Sequence, residues 1–430
     1  MRLPSICLDD QLAKYLEQFR ACFSQPQYKY FVTILLGLLL CQSGFTLTGI
    51  LRQVSTDVTL SGMSRFLSEA PWSTTEVCQQ WQTAFQAEMT TMVQAEHARQ
   101  RAKQAKQPGR PRKTVVTGYL IGDDSVMQKR RGQKMGGIGH HFSSTAEKTV
   151  QGHCLVQALY VLLGRQCVLE PQMYRQQTVC EAAGEPFASK VEIMMNIIRT
   201  FVPVPDTQTH VLLDSWFTAK KLWQVVRERG FLITCGIRSN RSLRVADPNS
   251  ENGWRWQTLS AYGTQLSPDD FTLVSWPRGD RQVYVHVVQT RIKKLYTCQL
   301  ICIREKLDGN TKFWVSSDLE ADVVTLLGHI AQRWDIEVLF ADVKELLGID
   351  QYQIMSVQAI QRFWLLVMIA YGYLEKERYR LQRERGCHTS IGDACRHVQR
   401  VHWCHLLDWL YDRFTSHHLS VSDVQEILLV

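Results

Sequence analysis

A chain of 430 residues is longer than one apolar core usually organises, so two to four structural units are expected. At 45% hydrophobic and 21% charged it is not broadly disordered, and its net charge of +8 permits a nucleic-acid partner without demanding one. Thirteen cysteines without a repeating spacing, and no secretory signal at the start, predict reduced thiols in a cytoplasmic protein. The longest apolar run, 31–41, is about half of what a bilayer span requires, so a buried helix is expected and no membrane partner.

Residues 1–96 read as a helical N-terminal domain: apolar residues recur at helical spacing, and Ser73 to Glu76 forms a capping start. Residues 97–113 carry seven Lys/Arg and no acid, ending in Arg110, Pro111, Arg112 and Lys113. Such a stretch buries no core. It is expected as a solvated linker or as an arm whose cations neutralise phosphates. Strands and helices then alternate over 114–237, which predicts an α/β sheet. Within it, 115–122 is a strand reaching Asp123 and Asp124, and 210–213 is a short buried strand reaching Asp214. Residues 238–312 read as an antiparallel β insertion without a clear helix. The α/β pattern resumes over 313–385, and 386–430 is a helical tail. The tail's Cys387, His388, Cys395, His397, His402, Cys404 and His405 match no common zinc spacing and are expected as ordinary helix-borne residues.

In open α/β sheets, acids at strand ends leave the core and converge on a crevice. Asp214 sits there, with helix capping as the plainer alternative. Asp123 and Asp124 point to opposite faces of one strand, and the apolar pattern does not choose between them. A third acid lies on a helix expected over 322–347, where Ile330, Arg333, Glu337 and Lys344 fall on one stripe amid apolar neighbours. Buried charges on such a stripe are costly unless they pair or meet ligands.

Arg333, Glu337 and Lys344 form R-x3-E-x6-K, and Asp124-Ser125 and Leu212-Leu213-Asp214 precede them in order. This set resembles bacterial insertion-sequence DDE transposases that carry a β-strand insertion and a Y-R-E-K signature, with Ile330 where that group has tyrosine. The resemblance implies an RNase H-like α/β core, interrupted by the insertion and flanked by helical regions, with a DNA-binding segment in 1–96. It selects Asp124 over Asp123 and makes Asp124, Asp214 and Glu337 the catalytic metal ligands. It implies two Mg²⁺ ions, with Mn²⁺ as a substitute, and phosphate contacts from Arg333 and Lys344.

The same resemblance implies cut-and-paste cleavage through a hairpin, with Trp334 and either Trp314 or Trp276 stacking an unpaired base. Its expected partners are double-stranded DNA, as terminal inverted repeats and target, and a second copy of the chain. It also implies a bacterial, nucleoid-associated protein. Two readings compete with it: a transposase-derived DNA-binding protein without catalysis, and an RNase H-like nuclease without strand transfer.

Overall fold

The computed structural model describes residues 3–4, 9–105, 114–143 and 146–429, so the arm residues Arg110, Arg112 and Lys113 lie outside the described residues. A short parallel pair, β1 (Leu3–Pro4) and β2 (Val54–Ser55), accompanies five helices. These are α1 (Asp10–Glu17), α2 (Gln25–Leu40), α3 (Leu47–Leu51), α4 (Leu60–Ser68) and α5 (Thr74–Gln104). Ser73 caps α5 by accepting from the Glu76 N–H at 3.2 Å. The helix does not stop at residue 96 but runs into the basic stretch expected as a linker. Phe85, Met89, Val93 and His97 continue its buried four-residue spacing, and the His97 ring bonds the Thr114 hydroxyl at 2.8 Å and the Asp206 carbonyl at 2.9 Å.

The sheet begins with β3 (Thr117–Gln128), β4 (Gly139–Ser143), β5 (Lys148–Leu162), β6 (Arg165–Val168) and β7 (Gln172–Tyr174). Then come α6 (Gln177–Ala183), α7 (Lys190–Thr200), β8 (Gln208–Leu213), α8 (Lys220–Glu228) and β9 (Leu232–Gly236). The strands β3, β8 and β9 run parallel, while β5 lies antiparallel on the other side of β3 and carries β4, β6 and β7 on its outer edge. β3 is longer than the expected strand, so Asp123 and Asp124 lie inside it and not at its end.

The segment expected as an insertion forms a hairpin of β10 (Ser242–Ala246) and β11 (Trp254–Thr258), a helix α9 (Leu259–Gln265), and β12 (Thr272–Ser275), β13 (Gln282–Arg291) and β14 (Thr297–Arg304). The presence of α9, started by the Thr258 hydroxyl on the Ala261 N–H, corrects the helix-free expectation. Through β15 (Lys312–Ser316), antiparallel to β9, strands β12 to β14 extend the main sheet to 11 strands. This segment widens the sheet.

The single helix expected over 322–347 is two: α10 (Val323–Gln332) and α11 (Asp335–Glu345). At the joint the Trp334 N–H bonds the Ala331 carbonyl and the Glu337 N–H bonds the Trp334 carbonyl, a tightening to three-residue spacing. Next are α12 (Val357–Arg385), α13 (Ile391–Thr415) and α14 (Val421–Leu429). Among the described residues α12 is the one helix long and apolar enough to cross a membrane. Here its Phe363, Trp364, Leu365 and Leu366 are all 0% exposed within protein. The N-terminal helices share that core: the Tyr15 hydroxyl bonds the Ile369 carbonyl at 2.9 Å, and Arg362 bonds the Leu67 carbonyl at 3.0 Å. The tail's Cys395, His397, His402, Cys404 and His405 lie along α13.

A buried ion pair ties α12 to the sheet. Glu375, 1% exposed, accepts from Arg165 Nε at 3.2 Å, from Arg378 at 3.0 Å and from the Gln166 N–H at 3.2 Å, while Arg165 also pairs with Glu88. Removing Glu375 strips Arg165 Nε and Arg378 of their shared buried acceptor and leaves Arg165 with the half-exposed Glu88 alone. Glu375→Ala is therefore expected to lower the unfolding free energy by about 3–5 kcal/mol in urea titrations. A loss below about 1 kcal/mol would mean that water reaches Arg165 freely.

Candidate active site

The parallel pairing of β3 with β8 ends at Gly122 opposite Leu213. Beyond that point β3 continues alone on this side, and β8 turns away into Ser215–Phe217. A cleft of ≈ 830 Å³ opens there, lined by Asp123, Asp124, Ser125, Asp214, Arg333, Glu337 and Lys344, with His140, His141, Tyr174, Lys190 and Trp216.

The pleat of β3 divides its acids. Asp123 accepts from Arg333 at 3.4 Å, and Ser125, two residues on, accepts from Lys344 Nζ at 2.7 Å, so both face α11. Asp124 faces the other way, accepting from Lys190 Nζ at 2.6 Å at the start of α7, with Cys154 Sγ 3.4 Å from the same oxygen. The strand thus separates Asp124, expected as a ligand with Glu337, from the helix that carries Glu337, and sets Asp123 beside it. The physical reason is the alternation of a strand with no bulge: β3 pairs with β5 residue for residue from Gly118 to Gln128.

Asp214 follows the last parallel pair. It begins the Ser215–Phe217 turn without a side-chain capping bond, so the plain capping alternative is not realised. Its carboxylate accepts no hydrogen bond from a described residue and is open to the cleft. On α11, Glu337 pairs with Arg333, which joins it to Asp123. Arg333 Nε is buried without a partner among the described residues, leaving one donor of the guanidinium uncommitted.

Burial pushes the Asp123 carboxyl up to about 7; the Asp124 N–H and Arg333 oppose the shift, and the charges of Asp124 and Asp214 add to it. Burial also lowers the pKa of Lys344, with Asp350 drawing it back.

The expected stripe is broken at the helix joint. Ile330, 6% exposed, packs with Val283, Val285, Ile301, Ile303, Leu326 and Leu327 under the widened sheet, and only Arg333, Glu337 and Lys344 reach the cleft. Trp314 flanks Arg333 at 5.8 Å and packs on that same apolar cluster, as does Trp276, over which Arg281 stands at 4.3 Å. Trp334 is 56% exposed and does not line the cleft. The sequence reading overlooked Lys190, His141, Tyr174 and Trp216. His141 is buried with Nε2 unpartnered, and burial together with Lys190 lowers its pKa to about 4. Only Trp216, two residues after a strand-end acid, carried a usable signal.

Divalent hard cations suit this donor set: four carboxylates on one cleft, with Asp214 unpartnered. Among the described residues no three metal-binding side chains are gathered closely enough to hold an ion. Arg333 occupies oxygens of Asp123 and Glu337 that an ion would take over, and Lys190 holds Asp124.

Folding raises the Asp123 pKa, so its proton stabilises the fold below the ordinary 3.8, and that contribution is lost as pH climbs through about 7. Without divalent ions, the melting-temperature gain of Asp123→Asn over the parent chain is expected to grow from about pH 4 to about pH 8. A gain independent of pH would place Asp123 in water.

Residues 18–260 match the family described as DDE superfamily endonuclease, and residues 189–390 match the transposase DDE domain. Together the two stretches contain every acid of the cleft. No curated protein matches the chain. Among solved structures, the piggyBac transposase synaptic complex with hairpin DNA aligns at 10% identity and a TM-score of 0.40, covering 72% of this chain. The chain spans 56% of that protein's length, and a likeness this distant carries no argument. The first family match extends over more than half of the 430 residues, and on that ground the chain belongs to the DDE superfamily of endonucleases.

Proposed function

We propose that this protein is a DNA transposase of the insertion-sequence type, in which Asp123, Asp214 and Glu337 hold the metal ions for strand cleavage and strand transfer. The observation that carries the assignment is the shared face: Asp123 and Glu337 are joined through Arg333, and Asp214 follows directly where β3 and β8 part. The core then reads as RNase H-like, with one acid on its first strand β3, one at the end of the parallel strand β8 and one on the later helix α11. The R-x3-E-x6-K spacing supports the Y-R-E-K group, and Ile330, at that group's tyrosine position, packs in the apolar layer away from the cleft.

Two divalent ions, Mg²⁺ or Mn²⁺, would neutralise charge at the scissile phosphate when bound by the three carboxylates. The chain's own groups do the rest. Arg333, released from Asp123 and Glu337, presents a planar fork to a phosphate, and Lys344 adds a point charge beside Ser125. Asp124, held by Lys190, orients that lysine on the opposite wall. Terminal-repeat and target DNA are the substrates of this reading, with Arg110, Arg112 and Lys113 as a phosphate-binding arm and a second copy of the chain in the paired-end complex. A hairpin route would draw its stacking residue from Trp334, Trp314 or Trp276.

With Mg²⁺ and terminal-repeat DNA, the protein is expected to nick the element end and join it to target DNA. Asp123→Asn, Asp214→Asn and Glu337→Gln should each lower nicking by at least ~10³-fold while DNA binding persists. Asp124→Asn should retain measurable nicking. Loss of nicking in Asp124→Asn with activity kept in Asp123→Asn would return the role to Asp124. Nicking without joined product would leave a nuclease.

A further inference from the structure

Beside the acidic cleft lies a second hollow of ≈ 420 Å³, lined by Tyr174, Ser189, Lys190, Ser215, Trp216, Arg238 and Arg241 among others. Tyr174, Lys190 and Trp216 line both cavities, so the two are continuous along the wall that carries Asp124. The hollow is basic and aromatic, with no acid among its lining residues. Among the described residues Arg238 and Arg241 have no carboxylate partner.

The Trp216 indole is 56% exposed, an unusual state for so large an apolar ring unless something covers it. It is also held rigidly. Phe217, next in the chain, is 0% exposed, and the Thr218 hydroxyl donates to the Gly236 carbonyl at 2.6 Å. A Cβ at Gly236 would stand 3.1 Å from the Ser215 nitrogen, so β9 closes tightly on the turn that presents the ring. The Arg238 guanidinium lies 4.9 Å from the ring centroid and the Lys190 ammonium 5.8 Å, while Lys190 is 5.4 Å from the Tyr174 ring.

We infer that this hollow binds one unpaired nucleotide of the DNA strand leaving the acidic cleft, with its base stacked on Trp216 and its phosphate on Arg238 and Arg241. A preformed aromatic face among uncommitted cations is the arrangement that single strands favour: every base has a π-face, and backbone charge tracks a basic groove. A paired base presents no free face to such a ring, so the hollow selects a frayed or extruded nucleotide over duplex. Lys190, bound to Asp124 and bordering both cavities, links the subsite to the cleft. The inference rests on the proposed action on DNA, and it adds a stacking position at Trp216, apart from Trp334, Trp314 and Trp276.

The test measures fluorescence anisotropy of a labelled short oligo(dT) with the full chain and no divalent ion, so that binding is read without cleavage. Trp216→Ala, at an exposed ring, is expected to weaken binding by at least ~5-fold, and Arg238→Ala with Arg241→Ala to flatten its salt dependence. An oligonucleotide with one abasic position should lose affinity for the parent chain and lose nothing further with Trp216→Ala. Equal affinities for parent and Trp216→Ala chains would overturn the subsite, as would an abasic penalty that Trp216→Ala leaves unchanged. Because nicking is assayed separately, a chain that binds oligo(dT) through Trp216 but never nicks keeps the subsite and loses the proposed activity. A chain that nicks but binds oligo(dT) without Trp216 does the reverse.

Discussion

The cleft depends on one constraint: the side chains of β3 alternate between its two faces past the point where β8 stops pairing with it. Up to Gly122 the strand has a neighbour on each side and is filled by packed apolar groups. Past it, Asp123 and Ser125 turn toward α11 and Asp124 turns toward α7, each meeting a cation. Two walls result from a single strand. One gathers Asp123, Asp214, Glu337, Arg333 and Lys344; the other gathers Asp124, Lys190, His141 and Tyr174 and leads to the hollow beneath Trp216. A one-residue slip of β3 against β5 would exchange these walls, so the continuous register from Gly118 to Gln128 underlies every role assigned here.

Electrostatics explain how the acids are held close together. Carboxylates at the edge of a packed sheet repel one another and resist burial, which is visible in the raised pKa of Asp123. Arg333 relieves the repulsion by bridging Asp123 and Glu337, and Lys190 does the same for Asp124. Arg333 is the cation that a phosphate would recruit if ions took over Asp123 and Glu337, while Lys190 would stay on Asp124. The same side chains therefore hold the acids in place and lie where the proposed substrate would meet them. The joint between α10 and α11 contributes as well, since it turns Ile330 into the apolar layer under the widened sheet and leaves Arg333 and Glu337 at the cleft.

Much of this was legible in the chain. Leu212-Leu213-Asp214 gave a strand-end acid, and the R-x3-E-x6-K spacing gave three residues that do reach one cleft. The β-rich stretch after Arg238 was recognised, although its strands extend the main sheet. What the sequence withheld has physical causes. The strand at Asp123 and Asp124 is apolar on both faces before the acids, so no alternation marked which one turns toward α11. Helix α10 runs into α11 without proline or glycine at the joint, so periodicity alone extended one stripe across the break. Lys190, His141 and Trp216 are assembled from segments far apart in sequence. No local pattern announces such a meeting. The reach of α5 into the basic stretch was readable from Val93 and His97, whose spacing continues the buried stripe, but the charge around them masked it.

The most direct test of the two-walled cleft is a crystal structure with Mn²⁺, located by its anomalous scattering. The account predicts ion density among the carboxylates of Asp123, Asp214 and Glu337, with Asp124 still held by Lys190. Density on Asp124 instead, with Asp123 left on Arg333, would contradict it.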